Sequence, residues 1–451
     1  MSGFGFGPGF AGSLPSVARF ADLPATADPL ATCWVTNRGV QYVYTGGSPA
    51  WRPTVVTDPR NANATYYVAS TGSSDGLGTS GDPLSSIADV VQRIGLNPVG
   101  QVFVNLLGPL NENETIINLN CAPDLLHFII ISGAGARTTS LTTTLSGGVT
   151  AWTQNASTNT VGTIAGASSL TAYGGAAKKA GRHFRISGGA RDGALGVLGA
   201  VESGSNVLFV PPQLGLYTAG SVVPQTSDTV EILAAPPKLT SKLTVAGGIF
   251  VGFDHVAIGD VGDAHGMFLA QGRALMSACL VNCGIDVGQN GSIEGTACAF
   301  DDTVRTYGDG DGGDGSWNFY GCHTQAIEGR KLGKLDFADT YARGAIALSQ
   351  GSVSQVPSGI LYVDTPGGGT ALTMGQKAAL DIVGVLNGRG ITASPGVLVL
   401  GNDAGIAYAV KPNFTGGSGD LWVFDASNHG AAAALPAAHP TNGAKIQPRT
   451  Y

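Results

Sequence analysis

The residues with the clearest chemical potential lie in the C-terminal half of the chain. The stretch YGDGDGGDGSW, Tyr307 to Trp317, spaces Asp309, Asp311 and Asp314 among glycines. Carboxylates gathered on such a loop offer the oxygen ligands that Ca²⁺ prefers. The spacing departs from an EF-hand loop, because Gly313 stands where a third ligand is needed and no Glu follows at the twelfth position. A calcium site and an acidic loop without metal both stay open, and no other cofactor is expected. Tyr307, Trp317 and Tyr320 flank the stretch. An aromatic face packs on the apolar face of a sugar ring, so these three are candidate receptor-binding residues, with core packing or a subunit contact as the alternative.

A second set is acidic: Asp254, Asp260, Asp263, Glu294, Asp301 and Asp302. Two carboxylates about 5–5.5 Å apart suit retaining glycoside hydrolysis, and about 6.5–9.5 Å suits inversion. Asp254, Glu294, Asp301 and Asp302 are the catalytic candidates, and Asp254 and Glu294 share a face if neighbouring repeats stack. Turn chemistry competes, because Gly259-Asp260, Gly262-Asp263 and Asp301-Asp302 fall where turns belong. Arg330, Lys331 and Lys334 cluster in EGRKLGKLD, as lyase chemistry would require, but a solvated turn explains them equally. His255, Cys279, Cys283, Cys298, Cys322 and His323 invite a zinc reading. There is no C-x-x-C pair, so an inward ladder of small residues is the better account. Ser70 to Ser80 has neither phosphate-loop pattern and binds no nucleotide phosphate by that means.

The scaffold that must position these groups is visible in composition. The chain has 451 residues, of which 69 are Gly and 12% are charged. Ordinary globular chains carry about 7% Gly and about 25% charged residues. Gly, Ala, Ser, Thr and Val in this excess suit repetitive β architecture, with glycine at tight turns. A net charge of −7 speaks against nucleic-acid binding, which needs Lys/Arg clusters. No apolar run approaches the roughly 18 residues of a membrane span. The start, MSGFGFGPGF, lacks a basic segment ahead of an apolar one, so synthesis in a cytoplasm without secretory export is expected. Six cysteines are too sparse for a disulfide scaffold of this length.

Along the chain, residues 1–12 alternate Gly and Phe, and Phe4, Phe6 and Phe10 are costly to leave in water, so this segment reads as a docking strap. Residues 13–53 form a small unit with a hairpin turn at Asn37-Arg38-Gly39, closed by Trp51. Residues 54–65 are a linker. Residues 66–150 contain strand-length apolar runs and a helix with Ile87, Val90, Val91 and Ile94 on one face. Residues 151–236 read as an inserted antiparallel β domain. From 237 to 412 the chain repeats: His255, Cys279, Cys298 and Cys322 recur at intervals of 24, 19 and 24 residues within short apolar strands. That period, with glycine turns, indicates a β-solenoid. Residues 413–451 turn Ala/Pro-rich and suit a C-terminal cap or tail.

The stretch YYVASTGSSDGLGTSGDPLSSIADVVQRI, residues 66 to 94, resembles the opening of the right-handed parallel β-helices in tailed-bacteriophage tailspikes and tail fibres, where a helix caps the open N-terminal end. The unit from 13 to 53, with ADLPATAD early and VYTGGSPAWRP at its end, is similar to the small N-terminal modules that attach phage adhesins to the virion. The resemblance implies an all-β homotrimer on a phage particle, held to other virion proteins through Phe4, Phe6, Phe10 and Trp51, and recognising a host surface polysaccharide or another receptor. Some members of the family cut that polysaccharide. A glycan-binding spike or fibre, a polysaccharide depolymerase and a purely architectural collar, head or tail protein are the three functions in play.

Overall fold

The computed structural model describes residues 14–36, 40–46, 50–53, 64–94, 101–118, 128–146, 163–164, 168–175, 180–188, 192–203, 206–210, 226–288, 290–306, 315–330, 333–348 and 353–356, and beyond these only the strands between 360 and 449. Short strands with alternating burial dominate. In Ser292–Thr296 the inward positions are Ile293 and Gly295 while Ser292, Glu294 and Thr296 face out; Ser316–Tyr320 repeats the pattern with Trp317 and Phe319 inward. Period-two alternation is what a strand buried on one face requires.

From Lys238 onward, successive strands fall in turn to three parallel sheets. Lys238–Thr240 enters the second sheet, Leu243–Ala246 the third and Phe250–Asp254 the long one; the cycle then repeats through Ala257–Ile258, Met267–Ala270 and Arg273–Ser277. Among the described residues the long sheet has thirteen strands and the other two have nine each. Their inner faces share one hydrophobic core that runs from Ala64 to Leu361. The chain is thus mostly β with long parallel sheets, the arrangement a solenoid needs.

Between Phe250 and Thr340, each passage from the long sheet to the second sheet turns on one residue in the left-handed region: His255 (φ 53), Ala278 (φ 47), Ala297 (φ 51), Gly321 (φ 58) and Asp339 (φ 50). These corners stack. The N–H of His255 donates to Ser277 O, that of Ala278 to Thr296 O and that of Ala297 to Tyr320 O, at 2.9, 3.0 and 2.9 Å. The hydrogen-bond ladder therefore continues through the bend and stabilises a conformation that is unfavourable for a lone non-glycine residue. The next position carries Val256, Cys279, Cys298, Cys322 and Thr340, all buried. His255 belongs to the turn column, one place before the cysteines, so the register of the sequence reading is corrected by one residue at that coil.

The helix Ile87–Ile94 buries Ile87, Val90, Arg93 and Ile94, with Val91 packed against the same core. Ser86 Oγ accepts from Asp89 N–H at 3.0 Å, an N-terminal cap for its first turn. Arg93 donates to Gly76 O at 2.5 Å and ties the preceding Ser/Gly loop to the helix. The first strand of the long sheet begins at Ala64, slightly ahead of the boundary drawn at 66.

An antiparallel sheet interrupts the coils, in the order Thr139–Thr144, Thr229–Leu233, His183–Ser187, Leu195–Ser203, Asn206–Val210, Thr163–Ile164. It starts upstream of residue 151, because the threonine-rich strand Thr139–Thr144 pairs with Thr229–Leu233. The coils resume in register across it: Phe128–Ser132 pairs with Phe250–Asp254. At the other end, Leu421–Phe424 and Ile446–Arg449 continue the long sheet within the segment assigned to a cap or tail. The N-terminal unit is a three-stranded antiparallel sheet, Thr32–Val35, Val40–Tyr44 and Trp51–Pro53, around Cys33, Val35, Tyr42 and Trp51.

Candidate functional site

In-register pairing stacks the outward side chains of the long sheet into columns. The first position carries Phe250, Arg273, Ser292, Ser316 and Lys334; the third carries Gly252, Leu275, Glu294, Asn318 and Asp336; the fifth carries Asp254, Ser277, Thr296, Tyr320 and Ala338. Hydroxyl, amide, carboxylate and cationic groups are thereby set about 4.8 Å apart along each column. Two concavities lie on this face. One, of about 440 Å³, is lined by Ile130, Gly252, Asp254, Leu275, Ser277, Glu294 and Thr296 among others. The second, of about 490 Å³, is lined by Phe250, Arg273, Asn290, Ser292, Glu294, Ser316, Asn318 and Lys334 among others. They share Leu275 and Glu294 and so adjoin on the one face. The missing side chain at Gly252 deepens the first, since a Cβ there would lie 3.2 Å from Ile130 Cγ1.

The charges on this face are of two kinds. Asp254 is held in place: Ser132 Oγ donates to its Oδ2 at 2.9 Å, and His255 Nδ1 lies 2.7 Å from its Oδ1. Burial acts to raise its pKa, but the bonds from His255, Ser132 and Ser277 outweigh burial and keep the carboxyl below its usual range. Asp336 behaves in the opposite way. Loss of water raises its pKa, and the Gln355 hydrogen bond and the Lys334 charge only partly offset that. Tyr320, half-buried, has its phenol pushed up by burial and then by the nearby Glu294 and Asp336 carboxylates. Glu294 and Asp336 are therefore close in space around Tyr320 and Asn318. Two ladder steps put their backbones roughly 9–10 Å apart.

The structure separates the sequence candidates. Asp254 and Glu294 come together in the 440 Å³ concavity. Asp301 does not join them: its Oδ1 accepts from Ala180 N–H at 3.1 Å, where the inserted sheet meets the coils. Asp302 accepts from Thr303 N–H, Asp263 from His265 N–H, and Asp260 pairs with Lys238, so all three serve turns or local ion pairs. Trp317 is a correction: it is 0% exposed, stacks on Phe319 at 5.1 Å and meets Phe300 edge-on at 5.6 Å, so its ring faces the core. Trp51 is also a core residue, with Nε1 donating to Pro24 O at 2.7 Å, and presents no free ring for attachment. Tyr307, Asp309, Asp311, Asp314, Phe4, Phe6, Phe10 and Lys331 lie outside the described residues. Arg330 pairs with Glu328 at 3.3 Å. Among the described residues, no group of three His, Cys, Asp or Glu side chains is placed to hold a metal ion.

The cysteines have a structural role. Cys279 Sγ donates to Phe253 O at 3.2 Å and Cys322 Sγ to Gly295 O at 3.2 Å; Thr340 Oγ1, one coil on, donates to Phe319 O at 3.1 Å. Small donors at this position satisfy carbonyls at the corner. The five described cysteines are free and buried, and burial raises the Cys279 and Cys298 thiols well above their ordinary value. Sequence reasoning missed Arg273, Leu275, Asn318 and Asp336. The usable signal was the outward column: aligning each coil on its inward apolar pair puts Glu294, Asn318 and Asp336 in one line.

No family model matches the chain, and no curated protein matches it. Among solved structures, a glycoside hydrolase aligns over 76% of this chain and 95% of its own, at 8% identity and a TM-score of 0.24. The Gp54 tailspike of Acinetobacter baumannii bacteriophage AP22, in complex with A. baumannii capsular saccharide, aligns over 78% of this chain and 74% of its own, at 12% identity and a TM-score of 0.19. No helix among the described residues is long and apolar enough to cross a membrane.

Proposed function

We propose that this chain is a spike or fibre protein of a tailed phage, a right-handed parallel β-helix assembled as a homotrimer, which binds a host surface glycan in the concavities of its long sheet. The observation that carries the reading is the pair of adjoining concavities that share Leu275 and Glu294, with polar columns beside Leu275 and Ile130. Sugars present hydroxyls at ladder-like intervals and one apolar ring face, and both features have partners here. Residues 1–53 attach the protein to the particle in this reading, and the 307–317 segment adds a second contact or a Ca²⁺ site.

The test is binding of the purified chain to capsule or lipopolysaccharide from the host, with a Glu294→Ala/Asn318→Ala double variant beside it. Binding that falls at least tenfold, with unchanged circular dichroism, supports the site. Equal binding by the variant moves recognition elsewhere, and no binding to any host glycan leaves the architectural role.

A second reading, a depolymerase, is favoured by one observation. Asp336, raised toward the protonated form, lies two strands from Glu294. A separation near the upper end of the inverting range would let Asp336 protonate the leaving oxygen and Glu294 activate water. Chain shortening by the wild type and none by Asp336→Asn is the expected result; undiminished shortening by that variant refutes the assignment.

A further inference from the structure

The inserted antiparallel sheet meets the coils through a buried cluster of ionisable side chains centred on Arg137. Its Nε donates to Ala234 O at 2.8 Å, beyond the last strand of the insertion, and its Nη1 donates to Ala278 O at 3.3 Å, on a corner of the coils. Its Nη2 lies 2.8 Å from His183 Nδ1, on the strand His183–Ser187. A guanidinium only donates, so Nδ1 accepts and the ring is neutral with its proton on Nε2. His183 is 1% exposed; its Nε2 makes no well-aligned hydrogen bond, although the ring lies by the backbone of Cys279 and Ala297.

The other charged and titratable groups here are few. His255, held by Asp254, faces the ring from the adjoining corner. Arg182 adds a second cation beside Arg137, and the Cys279 thiol and the Asp254 carboxylate lie on the coil side. Burial brings the Arg137 guanidinium down to about 10, still fully charged at neutral pH. Through the neutral imidazole Arg137 grips the strand His183–Ser187.

We propose that this cluster is an acid-released latch: protonation of His183 breaks its bond with Arg137 and lets the inserted sheet separate from the coils. A proton on Nδ1 removes the acceptor and sets two cations against each other out of water. Burial, then Arg137 and His255, hold the docked imidazole well below its ordinary 6.5, while the backbone at Cys279 and Ala297 opposes them in part. An undocked sheet with an ordinary histidine takes up the proton first. Docking is complete above about pH 6.5 and weakens as the pH falls below it, by up to about tenfold per pH unit, until the docked ring itself protonates.

The experiment is amide hydrogen exchange of the full chain between pH 7.5 and 4.5, corrected for intrinsic rates. Protection of the Ala180 amide, whose N–H donates to Asp301 Oδ1 across the junction, should fall by up to about tenfold per pH unit below about 6.5, while amides paired inside the inserted sheet and inside the coil strands Ser292–Thr296 and Ser316–Tyr320 stay protected. His183→Asn keeps an acceptor in the place of Nδ1 and does not titrate, so the loss should vanish; the same acid loss in that variant overturns the latch. Exchange of the His183 ring C2 hydrogen in the wild type tests it without any substitution. A titration midpoint well below 6.5 supports the proposal, and a midpoint near 6.5 while the Ala180 amide remains protected refutes it.

Discussion

Trp317 is the residue on which sequence and structure differ most usefully. Its indole is 0% exposed and lies between Phe300 and Phe319, with stacking on the latter at an interplanar angle of 11°. Truncation to alanine deletes a fully buried aromatic and leaves a cavity, at a cost of about 3–5 kcal/mol. The aromatic contacts contribute part of that, about 0.5–1.5 kcal/mol per pair. Phenylalanine gives a different balance. It loses about a quarter of the buried ring area, worth about 1 kcal/mol. It also removes the Nε1–H, which is buried without a hydrogen-bond partner and carries a penalty of about 1–3 kcal/mol. Trp317→Phe should therefore lie within about 1 kcal/mol of the wild type, and Trp317→Ala should lose most of its margin. Equilibrium urea unfolding followed by circular dichroism measures both, with glycan binding of the folded variants in parallel. If Trp317→Ala leaves the unfolding midpoint unchanged yet abolishes glycan binding, the ring faces a ligand and the inward register of this strand is wrong.

The cysteine column makes a second prediction. Serine at position 298 keeps a donor for the Thr296 carbonyl that Cys298 Sγ reaches at 3.3 Å, so Cys298→Ser should cost only about 1 kcal/mol, whereas Cys298→Leu should cost about 1–3 kcal/mol through overpacking. Unfolding midpoints decide between them, and native Cys279 and Cys298 should resist thiol reagents at pH 8. A third concerns Asp336. An acid whose folded pKa is raised contributes stability below its unfolded value of 3.8 and loses it as the pH climbs through the folded value. Asp336→Asn should thus be more stable than the wild type at pH 7 and equal to it at pH 3; a variant less stable at pH 7 would show that the carboxylate is held by favourable contacts instead.

Much of this protein was legible without coordinates, because the relevant signals are local. Strand-length apolar runs, glycine turns and a repeat near twenty residues follow from residue order, and they point to β-rich coils. The helix Ile87–Ile94 was legible because four apolar residues share one face. What residue order could not supply was register. A strand's side chains change face with every residue, so an error of one place turns a core position into a surface position. His255 and Cys279 look equivalent by interval, yet the left-handed corner aligns His255 with Ala278 and leaves Val256 opposite Cys279. Trp317 reads from the sequence as a receptor-binding candidate with core packing as an alternative, and only its pairing with Ile293 and Leu335 turns it inward. The same pairing set Glu294, Asn318 and Asp336 in one column across a separation of 42 residues, from 294 to 336. The contact of His183 with Arg137 spans 46 residues and a change of sheet. Sequence by itself determined the local β pattern and the inside–outside rhythm, because each depends on near neighbours. Tertiary structure alone decided which polar groups meet, because that depends on how distant strands stack.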